Sequence, residues 1–361
     1  MRAFRLGIAQ ALAVAMTGTA FVSAAAHEID LTRLPVGDGK ISDGPKTGWI
    51  WACRIDPGAG GAQKEGPWFN GDGTYDLTAK AIVPGNVKWP SKLKIERRGD
   101  RRVFSGNDLP KHGTGTFPVG RDTEAFKYDR NPNRIREQAI AFDLPADPVL
   151  AGEPQCAPGA VGILLSGSVL FNALDAPGRD AVAHETQDKC QGHPQESGVY
   201  HYHSISSCAD AKTLPDGHSA LVGYSLDGFG IYGHLGEDGK ALASADLDEC
   251  HGHSHAIEWD GKMVEMYHYH ATWDFPYTVG CLRGDYDRDV VMAISGPPPG
   301  GVGPQGGPPG GPPDLKAAAA KLGISMSKLR SALGPPPPNL AKTARKLGIS
   351  EDNLREALGV P

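Results

Sequence analysis

Two copies of Tyr-His-Tyr-His, at Tyr200–His203 and Tyr267–His270, each follow a lead-in of the form Asp-x-Cys-x-Gly-His, at Asp188–His193 and Asp248–His253. In extended backbone successive side chains point to opposite faces, so His201 sits with His203 and His268 with His270, the tyrosines lying behind them. Imidazoles at that spacing can share one metal ion, as His-x-His strands do in some zinc sites. All-nitrogen ligation suits zinc or copper better than calcium or magnesium. Two arrangements follow from the residues. Either His201, His203, His268 and His270 make one four-nitrogen site, or each pair recruits its own lead-in histidine, His193 or His253, into a separate site. His184, His251 and His255 are further candidates in the same stretch. Asp188 and Asp248 either orient an imidazole through its second nitrogen or serve as turn residues bonded to their own backbone. The competing reading of the whole device is structural, with imidazoles stacked along a ladder and bonded to the main chain.

Elements that could hold such a device are marked by cysteine. Six cysteines are present and none forms C-x-x-C, which disfavours a redox pair or a four-cysteine zinc site. In each repeat one cysteine precedes Tyr-His-Tyr-His and another follows it. This suggests disulfides Cys190–Cys208 and Cys250–Cys281, leaving Cys53 with Cys156. An oxidising compartment is consistent with the N-terminus, where Arg2 and Arg5 head an apolar stretch closed by Ala24-Ala25-Ala26. That pattern reads as a signal peptide over residues 1–26 and predicts an extracytoplasmic protein, periplasmic or secreted. No other run approaches the roughly 20 apolar residues of a spanning helix, so no transmembrane segment is expected.

The net charge of −6 hides an asymmetry. From Asp314 onward eight bases face four acids, so the segment before it is strongly acidic. An acidic body argues against nucleic acid as a partner and favours attraction of cations. Residues 27–295 read as one mainly β, disulfide-stapled domain with its motif core at 184–285. Strand signals run from Thr74 to Val83, Ala160 to Phe171, Ala220 to Tyr232 and Lys262 to His270. Val161–Leu165 is continuously apolar, fitting a strand buried on both faces or a short core helix. Gly223-Tyr224-Ser225 lacks the hydrolase elbow, and His184-Glu185 lacks the second histidine of a zincin. Residues 296–313 form a Pro/Gly linker that cannot fold. Residues 314–361 hold two copies of a 25-residue helical hairpin, broken at Gly323 and Gly348. Leu-Gly-Ile-Ser between its helices is similar to a helix-turn-helix turn, but export favours a spacer or a hairpin that docks on a protein or envelope partner.

Taken together, the run from Asp188 to Cys281 resembles the YHYH protein family. The elements that carry the resemblance are both lead-ins and both Tyr-His-Tyr-His copies, Gly223-Tyr224 with Asp227-Gly228-Phe229, Leu247-Asp248-Glu249-Cys250, and Phe275–Cys281. Gly230 departs from the pattern where similar sequences often carry proline. The resemblance extends over most of residues 66–285 and not to the tail, and it implies an exported protein without an established reaction. The expectation is a protein that binds zinc or copper through its His-x-His strands, for metal-assisted hydrolysis or oxidation. The alternative is a non-enzymatic metal-sequestering or cell-surface binding protein with structural histidines. Ligand count separates the two, because an open position points to catalysis and a closed shell to structure or storage.

Overall fold

A computed structural model describes residues 29–55, 60–209, 212–295, 318–319, 321–324, 326–333 and 340–358. The signal segment expected at 1–26 and the linker expected at 296–313 lie outside the described residues. Short strands precede the motif region. β1 (Leu34–Pro35) pairs with β2 (Thr74–Tyr75), and β3 (Leu93–Arg98), β4 (Arg101–Gly106) and β5 (Ile140–Pro145) form an antiparallel sheet. The strand expected from Thr74 to Val83 stops at Tyr75. Asp76 ends it, because its carboxylate accepts hydrogen bonds from the backbone and hydroxyl of Thr78 and from the Ala79 amide, a local turn that competes with the ladder.

β6 (Leu150–Cys156) leads into the motif region, whose main sheet has eight strands. These are β7 (Ala160–Leu164), β8 (Val169–Phe171), β9 (Gly192–Pro194), β10 (Tyr200–Tyr202), β11 (Leu221–Ser225), β12 (Gly230–Tyr232), β13 (Gly252–Trp259) and β14 (Lys262–His270). They lie in the order β13-β14-β12-β11-β7-β8-β10-β9. Val161–Leu164 is thus a strand, buried throughout as its continuous apolar run requires. The stretches Ala160–Phe171 and Ala220–Tyr232 each break into two strands, the second around the turn at Asp227-Gly228.

The sheet is two copies of one four-stranded unit. Tyr202 pairs with Leu170 and Gly192 in the first half, and Tyr269 pairs with Ile231 and Gly252 in the second. His201 lies opposite His193, as His268 lies opposite His253. The halves meet where β7 runs antiparallel to β11, and the Ile163–Tyr224 pair marks the pseudo-twofold centre. Glycine is needed at that seam. A Cβ on Gly162 would lie 2.5 Å from the Tyr224 carbonyl oxygen, and one on Gly223 2.6 Å from that of Ile163. The glycine of Cys-x-Gly-His has a similar cause. At Gly192 a Cβ would meet the Tyr200 ring at 2.3 Å, and at Gly252 it would meet the His268 carbonyl oxygen and the Tyr267 hydroxyl at 2.4 Å.

Disulfides Cys53–Cys156, Cys190–Cys208 and Cys250–Cys281 join the pairs read from the repeat. β15 (Cys281–Gly284) pairs with β6 and sets Cys281 opposite Cys156, so two of the staples meet at one ladder. α1 (Ala181–His184) is capped by Asp180, whose carboxylate accepts from the Ala183 amide and from the Tyr277 hydroxyl. α2 (Arg288–Ser295) buries Val290 and Ile294. In the tail the described helices are α3 (Met326–Leu333), α4 (Leu340–Leu347) and α5 (Glu351–Leu358). Their small core includes Leu329, Ala344 and Leu354, with Gly323 and Gly348 at positive φ where helix breaks were expected.

Candidate metal centres

The histidines form two separate clusters, one in each half of the sheet. Register decides which face they share. His201 pairs with Val169, Val169 with Ile163, Ile163 with Tyr224 and Tyr224 with Gly230. Gly230 points with Tyr232, which pairs with His270, so both clusters occupy one face. Five strand intervals separate β10 from β14, which is about 24 Å at about 4.8 Å each. A single site of His201, His203, His268 and His270 is therefore excluded by the four strands between them, and each pair instead clusters with its own lead-in histidine.

In the first cluster His193, His201 and His203 are all buried, with ligand atoms within 4.8 Å of one another. His203 Nδ1 donates to the Asn172 carbonyl at 2.5 Å, and His201 Nδ1 to that of Val199 at 3.3 Å. A carbonyl only accepts, so each Nδ1 carries the proton and each Nε2 presents a lone pair. Glu185, the residue after α1, completes the group, its Oε2 lying 3.5 Å from His193 Nε2 and 3.6 Å from His203 Nε2. Metal–ligand bonds of about 2.0–2.1 Å give tetrahedral edges of about 3.3 Å, close to these separations. Burial pushes the Glu185 carboxyl well above its usual range, with Asp129 and Asp175 adding to the effect. Burial also holds the imidazoles neutral, His203 down to about 4.

The second cluster repeats this geometry and enlarges it. His253, His268 and His270 take the places of His193, His201 and His203, and His218 and His255 join them within the same 4.8 Å. The anchoring carbonyls are equivalent too. Gly233 receives His270 Nδ1 at 2.7 Å and Met266 receives His268 Nδ1 at 3.0 Å. His218 Nδ1 donates to the Ser219 carbonyl at 2.6 Å, and its Nε2 then faces His270 Nε2 at 3.1 Å. Both nitrogens are acceptors, so at that distance two lone pairs oppose each other with no proton between them. Nε2 of His253, His255 and His268 has no hydrogen-bond partner among the described residues. Burial lowers His253 to about 4 and His268 to about 2.

Asp188 and Asp248 do not orient imidazoles. Asp188 accepts the amides of Cys190, Gly192 and Gly115 and the Tyr200 hydroxyl, and Asp248 accepts the amides of Cys250 and Gly252 and the Tyr267 hydroxyl. Backbone carbonyls take the second-nitrogen role instead, because each carboxylate is engaged by the amides two and four residues on, in the turn that precedes β9 or β13. Two other candidates also lie elsewhere. His184 bonds Asp38 at 2.8 Å, and His251, at positive φ, bonds Thr272 at 3.0 Å. Spacing alone missed His218 and Glu185. Both sit outside the repeated motifs and are brought in by long-range pairing, β8 with β10 in the first half and β11 with β12 and β12 with β14 in the second. A third grouping, His112 with Cys190 and Cys208, is no donor set, because both sulfurs are in a disulfide.

The family model described as YHYH protein matches residues 141–241. The chain carries a YHYH domain. The matched segment contains the whole first cluster and stops before the second Tyr-His-Tyr-His, so the structural duplication runs past the end of the match. Within the YHYH domain, the Tyr-His-Tyr-His run supplies ligand candidates on one face and buried hydroxyls on the other. Comparison with curated proteins and with solved structures finds no match. No helix among the described residues is long and apolar enough to cross a membrane.

Proposed function

We propose that the protein works outside the cytoplasm and binds two transition-metal ions per chain, one in each half of the sheet. The carrying observation is the 3.1 Å approach of His218 Nε2 to His270 Nε2, with both rings locked by their Nδ1 bonds in the tautomer that aims a lone pair inward. Neutral buried imidazoles in that posture repel each other until a cation lies between them. Preorganised tautomers of this kind are what carbonyl partners impose on metal-binding histidines. The acidic body supplies a long-range field that draws cations. Export is supported by the signal-like N-terminus and by three disulfides without a free cysteine.

Donor number favours holding metal over hydrolysing with it. Three imidazoles and Glu185 already fill a tetrahedral shell, and five imidazoles exceed it, so neither cluster reserves a position for activated water. Elemental analysis of protein purified from its native compartment tests the reading. Wild type should carry two equivalents of metal, each of His201→Ala and His268→Ala one, and the double variant close to none. Equal and negligible metal in all four proteins would leave only the structural role of the histidines.

A further inference from the structure

We infer that the two clusters select different metals, copper at the five-histidine cluster and zinc at the cluster of three histidines with Glu185. The inference rests on the two-site reading above and adds which ion each half takes. The halves differ at the ligands while sharing the scaffold. By the pairing of the repeats, the first half carries Gln195 where the second has His255, and Ala157 where the second has His218. It gains Glu185 in exchange, whereas in the second half Glu237 reaches no closer than 3.9 Å to His255 Nδ1, on the far side of that ring from its Nε2. The first donor set is thus three nitrogens and one oxygen at tetrahedral spacing, the ordinary shell of zinc. The second offers five nitrogens within 4.8 Å. Five-coordinate tetragonal nitrogen ligation suits copper(II), and copper(II) gains more from each added imidazole than zinc does.

Two further observations distinguish the clusters. Met266 lies directly opposite His255 on the histidine face, which places a soft thioether beside the second cluster and nothing equivalent beside the first. His253 and His255 stand on the edge strand β13 and are partly exposed, while His193, His201 and His203 are buried. An incoming ion therefore meets the second cluster at the surface and the first only through the protein.

Full-length, disulfide-intact protein stripped of metal, then given one equivalent each of copper(II) and zinc, tests the assignment. After desalting, one copper and one zinc per chain are expected, with an electron paramagnetic resonance spectrum showing tetragonal copper coupled to at least four nitrogens. His255→Gln, which restores the first half's residue, should weaken copper retention by about tenfold or more while zinc stays. Glu185→Gln should do the reverse. Near-ultraviolet circular dichroism checks that each variant is folded. Copper and zinc distributed at random, or a Glu185→Gln protein that keeps its zinc, would overturn the assignment and leave two-site binding intact. Retention of neither ion by wild type would overturn the two-site reading itself.

Discussion

Gly252→Ala probes whether the motif glycine is what lets the two strands close over the second cluster. The added Cβ would sit 2.4 Å from the His268 carbonyl oxygen and 2.4 Å from the Tyr267 hydroxyl. The carbonyl belongs to the β13–β14 ladder, where Gly252 faces Tyr269 and His253 faces His268, so it cannot retreat without breaking the pairing that sets the histidines. Overpacking of this kind costs about 1–3 kcal/mol. Displacing the Tyr267 hydroxyl from Asp248, now 3.0 Å away, adds about 1–2 kcal/mol. The sum, about 2–5 kcal/mol, is a large part of a typical stability of about 5–15 kcal/mol. Urea unfolding of the oxidised protein measures it, with metal content as a second readout expected to fall from two equivalents to one. Gly152→Ala is the control, since nothing lies within 4 Å of its Cβ and it should stay within about 0.5 kcal/mol of wild type. A Gly252→Ala protein within about 1 kcal/mol of wild type that retains both ions would refute the close-approach argument.

Acid should destabilise the metal-free protein well above the carboxylate range. Burial lowers His203 to about 4 and His251 to about 3, so the unfolded chain takes up protons first and stability falls as pH drops below about 6.5. The pair alone accounts for about 4 kcal/mol between pH 6.5 and 4.5, and because the raised Glu185 and Asp108 carboxyls act in the opposite sense the check is His251→Asn, which should lose about 2 kcal/mol less than wild type over that range; an identical loss would contradict neutral burial. At the alkaline end, burial lowers Lys80 to about 8. The folded protein releases that proton before the unfolded chain does, so stability should rise by about 3 kcal/mol between pH 8 and 10.5. Lys80→Met should abolish the rise, and persistence of the same slope in the variant would assign it to other groups.

The parts legible in the sequence are those written in local spacing. Alternation in Tyr-His-Tyr-His gave the two faces, and the position of one cysteine on each side of each copy gave the disulfide pairs. Long-range pairing was not legible. Nothing in the run from Val161 to Phe171 says that β8 will lie parallel to β10 and bring the Asn172 carbonyl to His203, yet that contact fixes the tautomer. Glu185 was passed over because its neighbours fail a helical zinc motif, whereas here α1 ends one residue earlier and delivers it from loop backbone. Asp188 and Asp248 could be read two ways from sequence, and the turn ahead of each motif strand decides between them, because each carboxylate accepts the amides two and four residues on.

The duplication explains why the two centres belong to one chain. β7 and β11 are the innermost strands, and β7 is buried along its whole length, so either half alone would expose an apolar, unpaired edge. Joining the halves at Gly162 and Gly223 removes both edges at once and leaves the outer strands β9 and β13 to carry ligands. Divergence then proceeds on each face without disturbing the seam. On the tyrosine face, Tyr269 donates to Asp227 at 2.6 Å, while the equivalent Tyr202 meets Ser166 at 3.0 Å and His112, from outside the repeat, at 2.6 Å. On the histidine face, the same freedom exchanged Glu185 for His218 and His255. A scaffold with one hydrophobic core running through both halves can hold two unlike sites at its ends, because β10 and β14, which carry the paired histidines, are separated by four strands of the sheet.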